Sequence, residues 1–305
     1  MKKAFLLGAG LGTRLRPLTD TAPKPLVPVF HRPLAMHVLD HLASAGITEV
    51  AVNTHHLADS WRETFPDGRY RNLELTFFHE PILLETGGGI KNISDFIGDD
   101  PIMVFNGDIL SDAPIAKLIA AHENSDRLAT LAVCREGDAR HLLVRDKHVL
   151  DIRNNLGRGE GTHQFTGIYC IDPQVLELIP ANEKISIIPA FLELAKQDQL
   201  GAFSFDGSAW LDLGTRETYL ASHGIGDNLS PLGKDFEPIH PEAYVDPTAL
   251  IENSWIGPNA QVGAQAELKN TILWPNTEVT EGTKLTNCII HQTNPVSGEH
   301  ENKEL

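Results

Sequence analysis

The strongest constraint on the fold is the stretch Gly8-Ala9-Gly10-Leu11-Gly12-Thr13-Arg14-Leu15-Arg16-Pro17, followed shortly by Pro23-Lys24-Pro25-Leu26-Val27-Pro28. The apolar run Ala4-Phe5-Leu6-Leu7 before it reads as a buried strand. Three glycines then make a turn whose backbone N–H groups can approach an anion without Cβ interference. Two cations follow on a stiff frame: Arg14 offers a planar fork of donors, and Lys24 is a compact charge between two prolines that restrict the backbone presenting it. The combination predicts a phosphate grip at the end of a strand. Two familiar alternatives fail on spacing. A dinucleotide fingerprint needs Gly where Thr13 stands, and a P-loop needs a Lys after a suitably placed Gly, which is missing.

A chain of 305 residues, 41% hydrophobic, is too long for most single cores and predicts about two domains. No stretch approaches the roughly 18 uninterrupted apolar residues of a membrane helix. Met1-Lys2-Lys3 leads straight into the first strand without a signal-peptide core, so a soluble, cytoplasmic protein without membrane association is expected. Cys134, Cys170 and Cys288 lie far apart in apolar runs and read as buried reduced thiols. The formal net charge of −16 argues against a nucleic-acid surface, because phosphate backbones are bound by clustered Lys and Arg. A phosphate ligand must therefore meet a local positive pocket plus a metal.

Along the chain, Pro33 to Ala45 has helical spacing, with Pro at its start and Gly46 beyond its end. His37 and His41 sit four apart on it, but the H-E-x-x-H order of a zinc site is broken, so they read as surface or packing residues. Strands are expected near Val50–Asn53, Leu73–Phe78 and Pro101–Phe105, with a helix from Leu57 to Phe65, an alternation that predicts an α/β sheet. Gly87-Gly88-Gly89 precede an expected helix at Ile90 to Phe96 and make a second place for close backbone approach. The run Pro101–Phe105 ends in Asn106-Gly107-Asp108, which puts an acid beyond the carboxyl end of a central strand, where α/β sheets bind ligands. Ser208 to Glu217 contains a second acid, Asp212, in Trp210-Leu211-Asp212-Leu213-Gly214-Thr215. On spacing alone, either acid also serves as a helix cap or turn former. After about Gly226 the composition becomes turn-rich, and Ile256, Val262 and Leu268 recur every six residues, an interval that Val279 and Leu285 repeat after an insertion.

As a whole, GAGLGTRLRPLT with PKPLVPV resembles the signature of the sugar-1-phosphate nucleotidylyltransferases, which make an NDP-sugar and pyrophosphate from an NTP and a sugar 1-phosphate. The resemblance extends to the L-E-T-G-G-G string at 84–89, N-G-D at 106–108, F-T-G-I-Y at 165–169 and W-L-D-L-G-T at 210–215. It implies that Arg14 and Lys24 are catalytic. The nucleotide is then contacted by Gly8, Ala9, Gly10, Gly12, Thr13, Arg14, Glu80 and Gly87, with Glu80 at the position of the base-edge residue. Glu85, Thr86 and Gly167 would contact the sugar, and Asp108 and Asp212 would ligate Mg²⁺. One departure stands out: where many members carry Glu-Lys-Pro to hold the acceptor phosphate, this chain has Arg153-Asn154-Asn155.

The resulting expectation is an α/β protein. A Rossmann-like mixed-sheet nucleotidyltransferase domain occupies 1–226, a linker 227–243, a short C-terminal left-handed β-helix of hexapeptide repeats 244–293, and a polar, frayed tail 294–305. The coils are expected to lean on the catalytic domain or on another subunit, in the latter case as a homo-oligomer contact. The L-E-T-G-G-G wording points to UTP and a sugar like N-acetylmuramate 1-phosphate. The hexapeptide segment points to the mannose-1-phosphate guanylyltransferases, and a non-catalytic NDP-sugar-binding relative is the remaining class.

Overall fold

The alternating apolar runs assemble into one ten-stranded mixed sheet. Its order is Leu142–Arg145, His148–Ile152, Leu200–Ser204, Ala129–Cys134, Gln164–Ile171, Ile102–Asn106, Lys3–Leu7, Glu49–Thr54, Leu73–His79 and Arg69–Tyr70. Lys3–Leu7 is parallel to both neighbours, pairing Phe5 with Ala51 on one side and Val104 on the other. Gln164–Ile171 runs antiparallel between Ile102–Asn106 and Ala129–Cys134 and makes the sheet mixed. Continuous apolar sequence produces this centre because both faces are covered: Ala4, Phe5 and Leu6 are buried, as are Ile102 to Phe105. The structure, a computed structural model, describes residues 1–136, 139–225, 232 and 236–305. Among these, no helix is long and apolar enough to cross a membrane.

The chain divides into two units. The first is Met1–Leu11, Pro23–Pro25 and Ala35–Trp210, and the second is Gly12–Ala22, Leu26–Leu34 and Leu211–Leu305. The chain enters the second unit for the last time at Leu211, and the signature stretch itself is shared out between the units. Of the expected linker, residues 227–231 and 233–235 lie outside the described residues.

The first unit differs from expectation at the glycine run. Its helix spans Glu85–Asn92, followed by Ser94–Ile97, so the three glycines lie inside a helix instead of before one. The cause is packing. A Cβ on Gly88 would stand 2.4 Å from the Glu183 carbonyl oxygen, and one on Gly87 2.8 Å from that of Ser186. Glycine here admits a neighbouring backbone segment, and the amides of Gly87 and Gly88 both donate to the Ile185 carbonyl at 2.8 and 3.0 Å.

In the second unit, short strands form three parallel ladders. Val245 pairs with Val262 and Val262 with Val279; Leu268 pairs with Leu285; Ile256 pairs with Leu273 and Leu273 with Ile290. Partners are seventeen residues apart, as in the side-chain bond from Asn253 to Asn270 at 2.8 Å. Each turn of chain is thus two steps of six and one of five, and the apparent insertion after Leu268 is the five-residue step to the buried Leu273. The tail expected to fray is ordered: Glu299–Glu301 pairs with Lys284–Thr286, and Val296 is buried against the same interior. Polar composition misled here because only one residue per short strand faces inward. The ladders lean on segments assigned from sequence to the catalytic domain. Trp274 Nε1 donates to the Tyr219 hydroxyl at 3.0 Å, that hydroxyl donates to the Pro28 carbonyl at 2.6 Å, and Trp255 Nε1 donates to the His223 carbonyl at 2.7 Å. Helix Arg216–Ser222, which carries Tyr219, is started by a capping box of Thr215 and Thr218.

Candidate active site

Lys3–Leu7 and Ile102–Asn106 end side by side, Leu7 beside Asn106, and their carboxyl ends open into a cleft of about 340 Å³ in the first unit. That volume lies within the range of about 300–1,000 Å³ typical of small-molecule sites. Its walls carry Gly10, Lys24, Glu85, Thr86, Asn106 and Asp108. Five of these were expected from sequence, and they come from four separate stretches of chain.

Lys24 and Asp108 meet directly. Lys24 Nζ donates to Asp108 Oδ2 at 2.7 Å, with the lysine side chain 8% exposed and the aspartate 29%. Gly107 makes the meeting possible: its amide donates to the Leu7 carbonyl at 3.0 Å, and a Cβ there would lie 2.4 Å from that oxygen and 2.8 Å from Pro25 Cγ. The proline that stiffens Lys24 therefore packs against the glycine that turns Asp108 into the cleft. Unlike most surface ion pairs, this one holds a nearly buried ammonium beside a ligand-sized space.

Several expected contacts lie elsewhere. The amides of Gly8 and Ala9 both donate to Asn53 Oδ1, at 2.7 and 3.3 Å, and are used up inside the protein; Ala9 still lines the cleft, whereas Gly8 is packed under Trp61. Gly10 is exposed with open space around it. Glu80, expected at the base edge, is fully buried: its Oε1 accepts from Asn53 Nδ2 at 2.7 Å and its Oε2 from the Leu84 amide at 2.9 Å. It holds loops together and does not line the cleft. Gly87 is buried under residues 185–186, and its amide is already taken. Thr86 does reach the cleft, where its hydroxyl accepts from the Ile187 amide at 3.0 Å. Gly167, expected at the sugar, is buried at a bulge with φ +78°, where a Cβ would meet Asn106 Nδ2 at 2.6 Å; it makes room for the Asn106 side chain. Arg153 is an exposed loop residue with φ +54°, and it does not line the cleft.

Gly12, Thr13, Arg14 and Asp212 belong to the second unit. Gly12 has φ +61° and starts the 3₁₀ turn Thr13–Leu15. Arg14 Nη2 lies 3.9 Å from Asp212 Oδ2, with the arginine side chain largely open to solvent and the aspartate half-buried, its Oδ1 shielded from solvent. Gly214 lets the pair sit against the backbone, since a Cβ there would come within 2.8 Å of Arg14 Nη2 and 2.9 Å of Asp212 Oδ1. The arginine and the second acid thus come together over a glycine of the same W-L-D-L-G-T motif that carries the acid.

Sequence reasoning missed Asn53, Asn106 and Ser186 as parts of the cleft. Asn53 and Asn106 had a legible signal, an amide at the carboxyl end of a parallel strand, where crevice residues belong. Ser186 had none, because it arrives from a distant loop.

The chain is similar to known proteins in sequence and in fold. Residues 3–144 match the family model described as Nucleotidyl transferase. A mannose-1-phosphate guanylyltransferase of Mycobacterium tuberculosis is 32% identical over 262 residues, covering 81% of this chain and 72% of its own length. An N-acetylmuramate alpha-1-phosphate uridylyltransferase of Neisseria meningitidis is 31% identical over 220 residues, covering 70% of this chain and 93% of its own. In fold, a solved UDP-glucose pyrophosphorylase from Acinetobacter baumannii matches with a TM-score of 0.64 at 20% identity, over 73% of this chain and 92% of that one. With the glycine turn, the Lys24–Asp108 pair and the Arg14–Asp212 pair in place, the chain belongs to the sugar-1-phosphate nucleotidylyltransferase family and is an enzyme of that class.

Proposed function

We propose that the enzyme transfers a uridylyl group from UTP to a sugar like N-acetylmuramate 1-phosphate, releasing pyrophosphate. The observation that carries this reading is the L-E-T-G-G-G string, whose Glu85 and Thr86 line the cleft. In the reaction an oxygen of the sugar phosphate attacks the α-phosphorus of the NTP in line. A new P–O bond forms as the bond to the β-phosphate oxygen breaks, and pyrophosphate carries away the electron pair. Both substrates are anions, so the protein's task is to position them and to balance charge. Lys24 supplies a preorganised cation at the cleft wall. Since Asn53 occupies the amides of Gly8 and Ala9, a phosphate is left to the turn from the exposed Gly10 onward. Arg14 is proposed to hold the triphosphate, with Asp108 and Asp212 as the metal-facing acids of their motifs.

Members of this family generally depend on a divalent metal, and the donor set suits Mg²⁺. Asp108 offers hard oxygen ligands, and among the described residues no three His, Cys, Asp or Glu groups gather into an all-protein cage. Mg²⁺ is ordinarily held in this way, by one or two carboxylates with phosphate oxygens and water. When bound, it would neutralise phosphate charge and orient it. The C-terminal ladders are proposed to be a short left-handed β-helix.

A second reading, guanylyl transfer to mannose 1-phosphate, is favoured by the reach of the guanylyltransferase alignment over 81% of this chain. Pyrophosphate release measured for UTP, GTP, dTTP, ATP and CTP against N-acetylmuramate, mannose and glucose 1-phosphates decides between them. Fastest release with UTP and N-acetylmuramate 1-phosphate supports the first reading, and with GTP and mannose 1-phosphate the second. Nucleotide binding without release from any pair would refute both.

A further inference from the structure

We infer that Glu80 is a positioning residue for nucleotide binding, acting through Asn53 on the glycine turn; this rests on the proposal that the turn and cleft hold an NTP. The chain of contacts is short and buried at its centre. Glu80 is 0% exposed and Asn53 2%. Gly8 and Ala9 donate to Asn53 Oδ1, Asn53 Nδ2 donates to Glu80 Oε1, and the Leu84 amide donates to Glu80 Oε2. The backbone decides the orientation at both ends. Two peptide N–H groups at Gly8 and Ala9 require an oxygen, so the Asn53 amide nitrogen must point to Glu80. A third peptide N–H, at Leu84, requires that the other Glu80 oxygen also accept. Only a group that accepts at two oxygens satisfies this set.

The contacts tie together elements that meet the cleft from two sides. Gly8 and Ala9 follow the strand Lys3–Leu7, Asn53 lies near the end of Glu49–Thr54, and Glu80 directly follows Leu73–His79, with its own amide donating to the Thr54 carbonyl at 2.8 Å. Leu84 opens the stretch that presents Glu85 and Thr86 to the cleft. Gly89 packs against the pair, since a Cβ there would stand 3.1 Å from both Asn53 Nδ2 and Glu80 Oε1. One buried carboxylate thus sets the glycine turn and the Glu85–Thr86 segment relative to each other. An acid at this depth without such donors carries a large desolvation cost, and here the hydrogen bonds from Asn53 and Leu84 offset it.

A reciprocal exchange tests the inference. In Glu80→Gln, one of the two acceptors becomes a donor and faces either Asn53 Nδ2 or the Leu84 amide. In Asn53→Asp, a second carboxylate confronts Glu80 across 2.7 Å. In the double variant, Asn53→Asp with Glu80→Gln, every bond is restored with the charge moved one residue along. The carboxylate introduced at position 53 accepts from Gly8, Ala9 and the new side-chain amide at position 80, whose oxygen accepts from Leu84. Steady-state kinetics with the best substrate pair, and melting curves, are recorded for wild type and all three variants. Each single variant is expected to raise KM for the NTP by about tenfold or more, with KM for the sugar phosphate changed less, and the double variant to return to within about threefold of wild type. Wild-type NTP kinetics in the single variants, or a double variant no better than either single, overturns the inference. Should a single variant fail to fold, the double variant alone still decides. A KM that rises only in step with lost melting temperature also overturns it. If wild type releases no pyrophosphate from any pair, the proposed function fails instead.

Discussion

Replacing Gly107 by alanine perturbs the site without touching Lys24 or Asp108. The added methyl would lie 2.4 Å from the Leu7 carbonyl oxygen and 2.8 Å from Pro25 Cγ. Neither neighbour is the loose end of a flexible side chain. Reaching an ordinary contact of about 3.5 Å requires the strand ends to part by roughly 1 Å. Overpacking of this kind costs about 1–3 kcal/mol, and weakening the Gly107 amide bond to Leu7 adds about 1 kcal/mol. Gly107→Ala should therefore lower stability by about 2–4 kcal/mol, a fall in melting temperature on the order of 10 °C. The same shift moves Asp108 and Pro25 apart, and with Pro25 the backbone of Lys24. Misplacement of catalytic groups by about 1 Å can cost on the order of 100-fold in rate. Pyrophosphate release is measured well below the variant's melting temperature, so that lost turnover is not lost fold. Turnover at the wild-type rate in a folded but less stable variant would refute the link between this close approach and catalysis, and an unchanged melting temperature would refute the steric reasoning itself.

The remaining predictions concern the charged groups. Asp108→Asn and Asp212→Asn each remove a carboxylate charge at nearly constant volume, so each should abolish Mg²⁺-dependent turnover while circular dichroism shows an intact fold; full activity in either removes that acid from the metal assignment. Lys24→Ala should lower kcat by about 100-fold or more, because a preorganised cation facing developing charge contributes on the order of 3 kcal/mol, and Lys24→Arg should not rescue fully between its two prolines. Arg14→Ala should act mainly on KM for the NTP, and an unchanged KM would contradict that role. Burial lowers the imidazole pKa of His41 and His122 below the ordinary value of 6.5, despite the opposing pull of Asp172 on His122. The unfolded chain then takes up those protons first, so their contribution to stability is complete above 6.5 and is lost as the pH falls through it toward the folded values. Melting temperature should fall between about pH 7.5 and 5.5 in wild type and fall less in His122→Gln, and equal slopes would contradict the assignment.

Residues 8–29, 106–108 and 210–215 were legible because their chemistry is local. A glycine turn, a lysine between prolines and an acid after an apolar strand are each recognisable as motifs within a few positions. The sheet was legible for the same reason, since strands buried on both faces read as unbroken apolar runs. The coil interval was visible in Ile256, Val262 and Leu268, but the five-residue step to Leu273 was not, because a single shortened face looks like an insertion until the ladders are paired.

By itself, then, the sequence determined the family, the sheet and the identities of the charged groups, all of which follow from residue type and short spacing. Only the tertiary structure decided what each glycine and each acid does. Gly87 and Gly88 look like a ligand loop, yet they admit the backbone of residues 183–186, which lies about a hundred positions away in the chain. Glu80 matches a base-edge position in the motif, yet it is buried because Asn53 and the Leu84 amide converge on it. Hydrogen-bond satisfaction is a property of groups brought together from distant stretches, and spacing along one stretch carries no record of it.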